Sequence, residues 1–278
     1  MTPLNDRLDS GLAGLPKVCA VSYLNTVPLV WGMLHGPQRE DCRLSFCLPS
    51  ECADRVHQGL DDLGIVPVIE VQRQGLLTVP GAGIACTGPV RSILLVSNRP
   101  PARIRTLAAD IGSRTSVALA QWLLRTRFDA NPAIVSMAPS LPEMLRQSDA
   151  ALLIGDAALR LQPDQLPYHV IDLGQLWVET TCLPMVFAVW AGKPHIVEPL
   201  LAKGMEDTLM RSLTFGINNM NTIVETESRS RGFPPDLIRH YLTHHISFLI
   251  GEPERKGLEL FLHHAEAMEG LLPSGKTI

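Results

Sequence analysis

The stretch VCAVSYLNTVPLVWGMLH, residues 18–35, decides the class of fold. Val18–Ser22 is a short apolar run of strand length. From Leu24 to His35 the pattern becomes helical, opened by Asn25-Thr26 and with Pro28 in the first turn, where a missing N–H does no harm. A strand that runs straight into a helix is the repeating unit of an α/β protein.

Outward from this unit the alternation continues. Cys42–Leu48 reads as a strand, Ser50–Leu60 as a helix capped by Ser50, and Leu63–Val68 and Val90–Ser97 as buried strands; Gly81–Ala85 reads as a turn into a strand. After Pro100-Pro101 a second unit begins: a helix over Ser113–Thr126, strands over Ala133–Met137 and Ala150–Ile154 with a helix over Leu141–Gln147 between them, then strands over Tyr168–Leu173 and Pro184–Trp190. From His195 the chain turns helical, over Glu198–Phe215, Asn221–Ser230, Asp236–Leu249 and Glu252–Met268. The order predicts two α/β lobes, the second inserted in the first: residues 18–97 plus 190–278 form one lobe and 98–189 the other. The crossings are expected near Ser97–Arg99 and Val189–Lys193, with a ligand cleft between the lobes.

The 278 residues carry a formal charge of −4 and only five lysines, so no overall electrostatic footprint for nucleic acid exists. The segment MTPLNDRLDSGLAGLPK lacks the ~7–15-residue apolar core of a secretory signal. Apolar runs such as Leu183–Ala191 stop well short of the ~18 residues that span a bilayer. Cys42, Cys47 and Cys52 are spaced without a C-x2-C unit, which disfavours zinc, and the six cysteines read as reduced thiols. His240 and His244 share a helix face but lack the further ligands of a metalloprotease site. These features predict a soluble cytoplasmic protein without a metal, a cofactor, a nucleic-acid partner or a membrane span.

Three helix starts offer free N–H groups and a positive dipole to an anion. Ser22 to Thr26 follows the first strand. Ser113-Arg114-Thr115-Ser116 places four side-chain donors in one turn, where Ser113 serves as N-cap on an ordinary reading. Gly155-Asp156 is a strand-to-helix turn in which Gly155 permits close backbone approach and Asp156 reads first as an N-cap. No dinucleotide, P-loop or nucleophile-elbow fingerprint occurs. Trp122 and Trp177 read as core. These residues describe an anion-binding protein of two lobes and leave its ligand open.

VSYLNTVPL (21–29) resembles the chorismate dehydratase family of the futalosine route to menaquinone. LGIVPVIE (63–70), GIACTGPVRSILLVS (83–97), SRTSVALAQWLL (113–124), LLIGDAAL (152–159) and DLGQLWVETTCLPMVFAVW (172–190) resemble further family segments in the same order. The resemblance implies a type II periplasmic-binding-protein fold used as a cytoplasmic enzyme. It implies a hydro-lyase that takes water from chorismate, a dianion, to give 3-[(1-carboxyvinyl)oxy]benzoate, with no cofactor and no metal. Aromatisation already drives that reaction, so positioning and charge control suffice.

Carried over residue by residue, Asn25 stands nearest the chemistry and orients the ring hydroxyl or the side-chain carboxylate, while the substrate's own enolpyruvyl carboxylate takes the proton. Ser22 and Thr26, beside Asn25, are expected to bind the substrate as well. Ser113, Thr115 and Ser116 hold one carboxylate, Arg114 adds positive charge, Ser92 reaches in from the other lobe, and Gly155 and Asp156 shape the wall. Cys182 stands where the family has Gly, and Met185 where it has Phe. A non-catalytic binding protein for a small carboxylate or aromatic acid is the other reading the fold allows.

Overall fold

Short apolar strands need helices over both faces, and the chain meets this need with two separate sheets. The computed structural model describes residues 14–110, 112 and 114–269. The first sheet holds β1 (Lys17–Val21), β2 (Arg43–Cys47), β3 (Leu63–Pro67), β4 (Leu77–Cys86), β10 (Met185–Gly192) and β11 (Ser247–Ile250), in the order β11-β4-β10-β3-β1-β2. The second holds β5 (Ile93–Ser97), β6 (Thr106–Asp110), β7 (Ala133–Met137), β8 (Ala150–Ile154) and β9 (His169–Asp172), in the order β7-β6-β8-β5-β9. β1 pairs in parallel with β2 and β3, while β10 returns antiparallel between β3 and β4.

Sheet membership moves the expected crossings. β5 pairs with β8 and β9, and β10 with β3 and β4, so the chain passes between sheets over 87–92 and 173–184. Ser97 ends β5 and leads on to β6 of the same sheet, and Val189 lies inside β10, so neither marks a crossing. One carboxylate joins the two crossing segments. Asp172 accepts from the backbone N–H of Val90 at 3.0 Å and Arg91 at 2.6 Å, and caps the helix Leu173–Thr181 through the N–H of Gln175 at 3.1 Å. Arg91 itself sits at φ +64° and donates its guanidinium to the carbonyls that end the helix Gly155–Leu159.

Several local expectations change. The helix after β2 begins at Pro49 with Leu48 as cap, so Ser50 caps nothing. Gly81–Ala85 lies inside the long strand β4, where Gly81 takes φ +94°. The expected Glu198–Phe215 helix is broken at Gly204 into Pro194–Ala202 and Met205–Asn218. Asp236–Leu249 divides into the helix Pro235–His240, a π-turn over Tyr241–His245 and the edge strand β11. The helix Met205–Asn218 packs on Val27–His35, with Ser212 Oγ donating to the Leu29 carbonyl at 2.8 Å. A Cβ on Gly216 would stand 2.2 Å from the Pro28 carbonyl oxygen, so only glycine permits this approach. Trp177 is fully buried, its Nε1 donating to the Pro184 carbonyl at 3.1 Å.

Candidate active site

The first strand ends at Val21 and the chain turns through Ser22 and Tyr23 into a 3-10 turn, Leu24–Thr26, before the helix Val27–His35. The Leu24 N–H that opens this turn is capped from the other lobe: Asp156 Oδ1 accepts it at 3.0 Å. Asp156 also pairs with Arg231, whose Nη1 donates to the Ser22 carbonyl at 2.9 Å and whose Nε holds Glu227 at 2.6 Å. Asp156 therefore does not cap its own helix, which starts at Ile154 without a side-chain cap. It fastens one rim of the cleft.

Between the two sheets lies a cleft with about 580 Å³ of empty space, the open solvent at its mouth included. Val21, Ile65, Ile84, Val90 and Phe187 give it apolar walls, and Asn25, Ser92, Thr115 and Ser116 supply polar side chains. Asn25 and Ser92 reach it from the segments beyond β1 and before β5, Thr115 and Ser116 from the first turn of the helix Arg114–Phe128. That helix runs for 15 residues, so its aligned peptide dipoles favour a negative group at its start. Thr115 is 4% exposed and its Oγ1 has no hydrogen-bond partner among the described residues. That hydroxyl is free to donate at a helix start, where backbone N–H groups are also unpaired.

Of the residues singled out in the sequence, Asn25, Ser92, Arg114, Thr115, Ser116 and Gly155 line this cavity. Ser22 does not: it is exposed, and its N–H and Oγ both donate to the Cys47 carbonyl, at 3.0 and 3.2 Å. Thr26 is fully buried behind Asn25, with Oγ1 3.5 Å from Asn25 Oδ1. Ser113 lies outside the described residues. Gly155 stands at φ +56°, and an added Cβ would meet the Tyr23 ring at 2.7 Å, so its close approach is to that ring.

Arg114 is an ion-pair strut and not a free positive charge. Its guanidinium reaches Asp54 at 2.9 and 3.0 Å and the buried Glu70 at 3.1 Å, tying the second lobe to helices Pro49–Gln58 and Val68–Arg73 of the first. The cavity thus offers mainly neutral dipoles beside a paired guanidinium. Among the described lining residues there is no His, Lys, Asp or Glu, and Tyr23 is the remaining ionisable side chain. Burial, with Asp110 and Asp156 nearby, pushes the Tyr23 phenol well above its usual range, so it stays a neutral donor.

Two contributors escaped the sequence reading. Tyr241, from the π-turn, is 1% exposed and donates its hydroxyl to Ser92 Oγ at 2.8 Å. Asp110, at the end of β6, accepts from Gly112 N–H at 3.1 Å while its Oδ2 lies buried without a partner among the described residues; burial raises its carboxyl pKa. A single Tyr in a polar helical stretch gave no local signal of its contact with Ser92.

The cysteines also group differently from their spacing. Cys19, Cys47 and Cys52 bring their sulfurs within 4.8 Å of one another, and Cys42 is not among them. Cys47 and Cys52 hydrogen-bond Cys19 and pull its thiol down, while their own are pushed up. Three buried thiols could hold a thiophilic ion, but structural zinc sites take four ligands, and no fourth joins them among the described residues.

Residues 16–267 match the family model described as menaquinone biosynthesis. A curated relative, chorismate dehydratase of Thermus thermophilus, is 30% identical over 92% of this chain and 94% of its own length. Among solved structures, a protein from Archaeoglobus fulgidus superposes with a TM-score of 0.70 at 16% identity, covering 92% of this chain and 98% of that one. The alkanesulfonate-binding protein of Xanthomonas axonopodis pv. citri, solved with MOPS, superposes at 0.64 and 16% identity over 94% of each chain. The periplasmic aliphatic sulphonate binding protein of Escherichia coli does so at 0.61 and 15%, over 92% of this chain and 87% of that one. The fold is that of the periplasmic binding proteins: two α/β lobes around a cleft.

Proposed function

Because the chain belongs to the menaquinone-biosynthesis family, we propose that it is a hydro-lyase that dehydrates chorismate to 3-[(1-carboxyvinyl)oxy]benzoate. The observation that carries this reading is the unpartnered Thr115 hydroxyl at the start of a 15-residue helix, facing Asn25 and Ser92 across an apolar cavity. One substrate carboxylate rests on the helix start, held by Thr115, Ser116 and backbone N–H groups. Asn25 orients the ring hydroxyl or the second carboxylate, and Ser92 donates from the opposite wall.

The reaction removes the proton at the ether-bearing ring carbon and expels the neighbouring hydroxyl as water, leaving an aromatic ring. The absence of a carboxylate, imidazole or amine among the described lining residues supports proton transfer to the substrate's own enolpyruvyl carboxylate. Apolar walls strengthen each dipole that faces the dianion. The pairing of Arg114 with Asp54 and Glu70 leaves charge stabilisation to those dipoles. Six unpaired cysteines support a reducing, cytoplasmic setting, and no described helix is long and apolar enough to cross a membrane.

The test is incubation of the purified chain with chorismate, followed by ultraviolet absorbance as the ring aromatises. Conversion is expected, and Asn25→Ala should lose roughly 100- to 1,000-fold in turnover with its circular dichroism unchanged. Chorismate bound but not converted would replace the enzyme with a receptor; near-normal turnover in the variant would remove Asn25 from the chemistry.

A further inference from the structure

We infer that Tyr241 is a positioning residue that fixes which polar atom Ser92 turns toward the substrate, an inference that rests on the dehydratase reading above. The phenol is 1% exposed and does not line the cavity, yet it holds the side chain of a residue that does. It has a single proton, and that proton goes to Ser92 Oγ at 2.8 Å. Ser92 Oγ is therefore occupied as an acceptor and keeps its own hydrogen to donate elsewhere. The Ser92 backbone is fixed as well, with its carbonyl accepting Gly155 N–H at 2.8 Å.

Tyr241 thus sets the rotor of Ser92 with its one hydroxyl. Its place in the π-turn Tyr241–His245 fits this role, because such turns interrupt the regular helix ladder and recur at functional sites. Phe at 241 would keep the ring and release Ser92.

The experiment is a double-mutant cycle on chorismate turnover with Tyr241→Phe, Ser92→Ala and the pair. Tyr241→Phe should lower kcat by about 10- to 100-fold while KM moves less than about threefold, because the loss is of orientation and not of a substrate contact. In the Ser92→Ala background the same change should cost less than about threefold more. Equal losses in both backgrounds, or an unchanged kcat, would overturn the role. If Tyr241→Phe does not fold, difluorotyrosine placed at 241 keeps ring and hydroxyl but ionises more readily. Its altered donor strength should change kcat in the wild-type background and not in Ser92→Ala, and the same change in both backgrounds, or none, overturns the role. Wild-type chain that fails to convert chorismate refutes the dehydratase reading itself, a result separate from these.

Discussion

Thr115→Val separates what the chain needs for folding from what it needs for its ligand. Thr115 is 4% exposed and its hydroxyl has no partner among the described residues. Valine matches its shape, and the two differ little in helix propensity. Removing a buried, unsatisfied hydroxyl should stabilise the ligand-free chain by about 1–3 kcal/mol. For a chain of 278 residues the unfolding entropy makes this roughly 2–5 °C in Tm. The same hydroxyl, donating to a carboxylate in the complex, should be worth about 1.5–3 kcal/mol, or roughly 10- to 150-fold in kcat/KM. The substitution should therefore raise Tm and lower activity together. The assay pairs scanning calorimetry of the free chain with steady-state kinetics on chorismate. A variant that is less stable and fully active would refute the reasoning on both counts, because the hydroxyl would then serve the fold and not the ligand.

Cys182 adopts φ +59° as the left-handed cap of the helix Leu173–Thr181, the conformation that glycine takes without strain. Cys182→Gly should stabilise the chain by about 0.5–1 kcal/mol, read as a higher denaturant midpoint at constant slope; a lower midpoint would show that the thiol carries a contact of its own. Asp110 has its folded carboxyl pKa raised by burial above the ordinary 3.8, so its contribution to stability is complete below that pH and is lost as pH rises through the folded value. Asp110→Asn should accordingly be more stable than wild type at neutral pH, with the gap closing below about pH 4 in parallel melts; a gap of constant size would assign the effect to hydrogen bonding with Gly112.

How far the sequence could be read follows from the range of the interactions involved. The strand-to-helix unit at residues 18–35 was legible because its pattern and its proline are local, and the same holds for β7 and β8. β4 was not legible. Pro80, Gly81 and Gly83 carry turn chemistry, and the strand forms because β10 and β11 flank it. β11 hid in an apolar spacing that serves a helix equally well until the π-turn breaks it. At the site, Asn25, Thr115 and Ser116 announced themselves as helix-start donors. The partners that define their roles lie far along the chain: Ser92 meets Tyr241 across 149 residues, and Arg114 meets Asp54 across 60. Arg114, read in isolation as a charge for the ligand, lines the cavity and also pairs with Asp54 and Glu70 across the lobes. No periodicity encodes that.

The carboxylate of Asp172, which receives N–H groups from one crossing and caps the helix of the other, gives the joint a single pin. Asp172 itself does not line the cavity, but Val90, whose N–H it holds, does. Substitution at this one position therefore changes the stiffness of the joint and reaches the cavity wall only through the backbone of Val90.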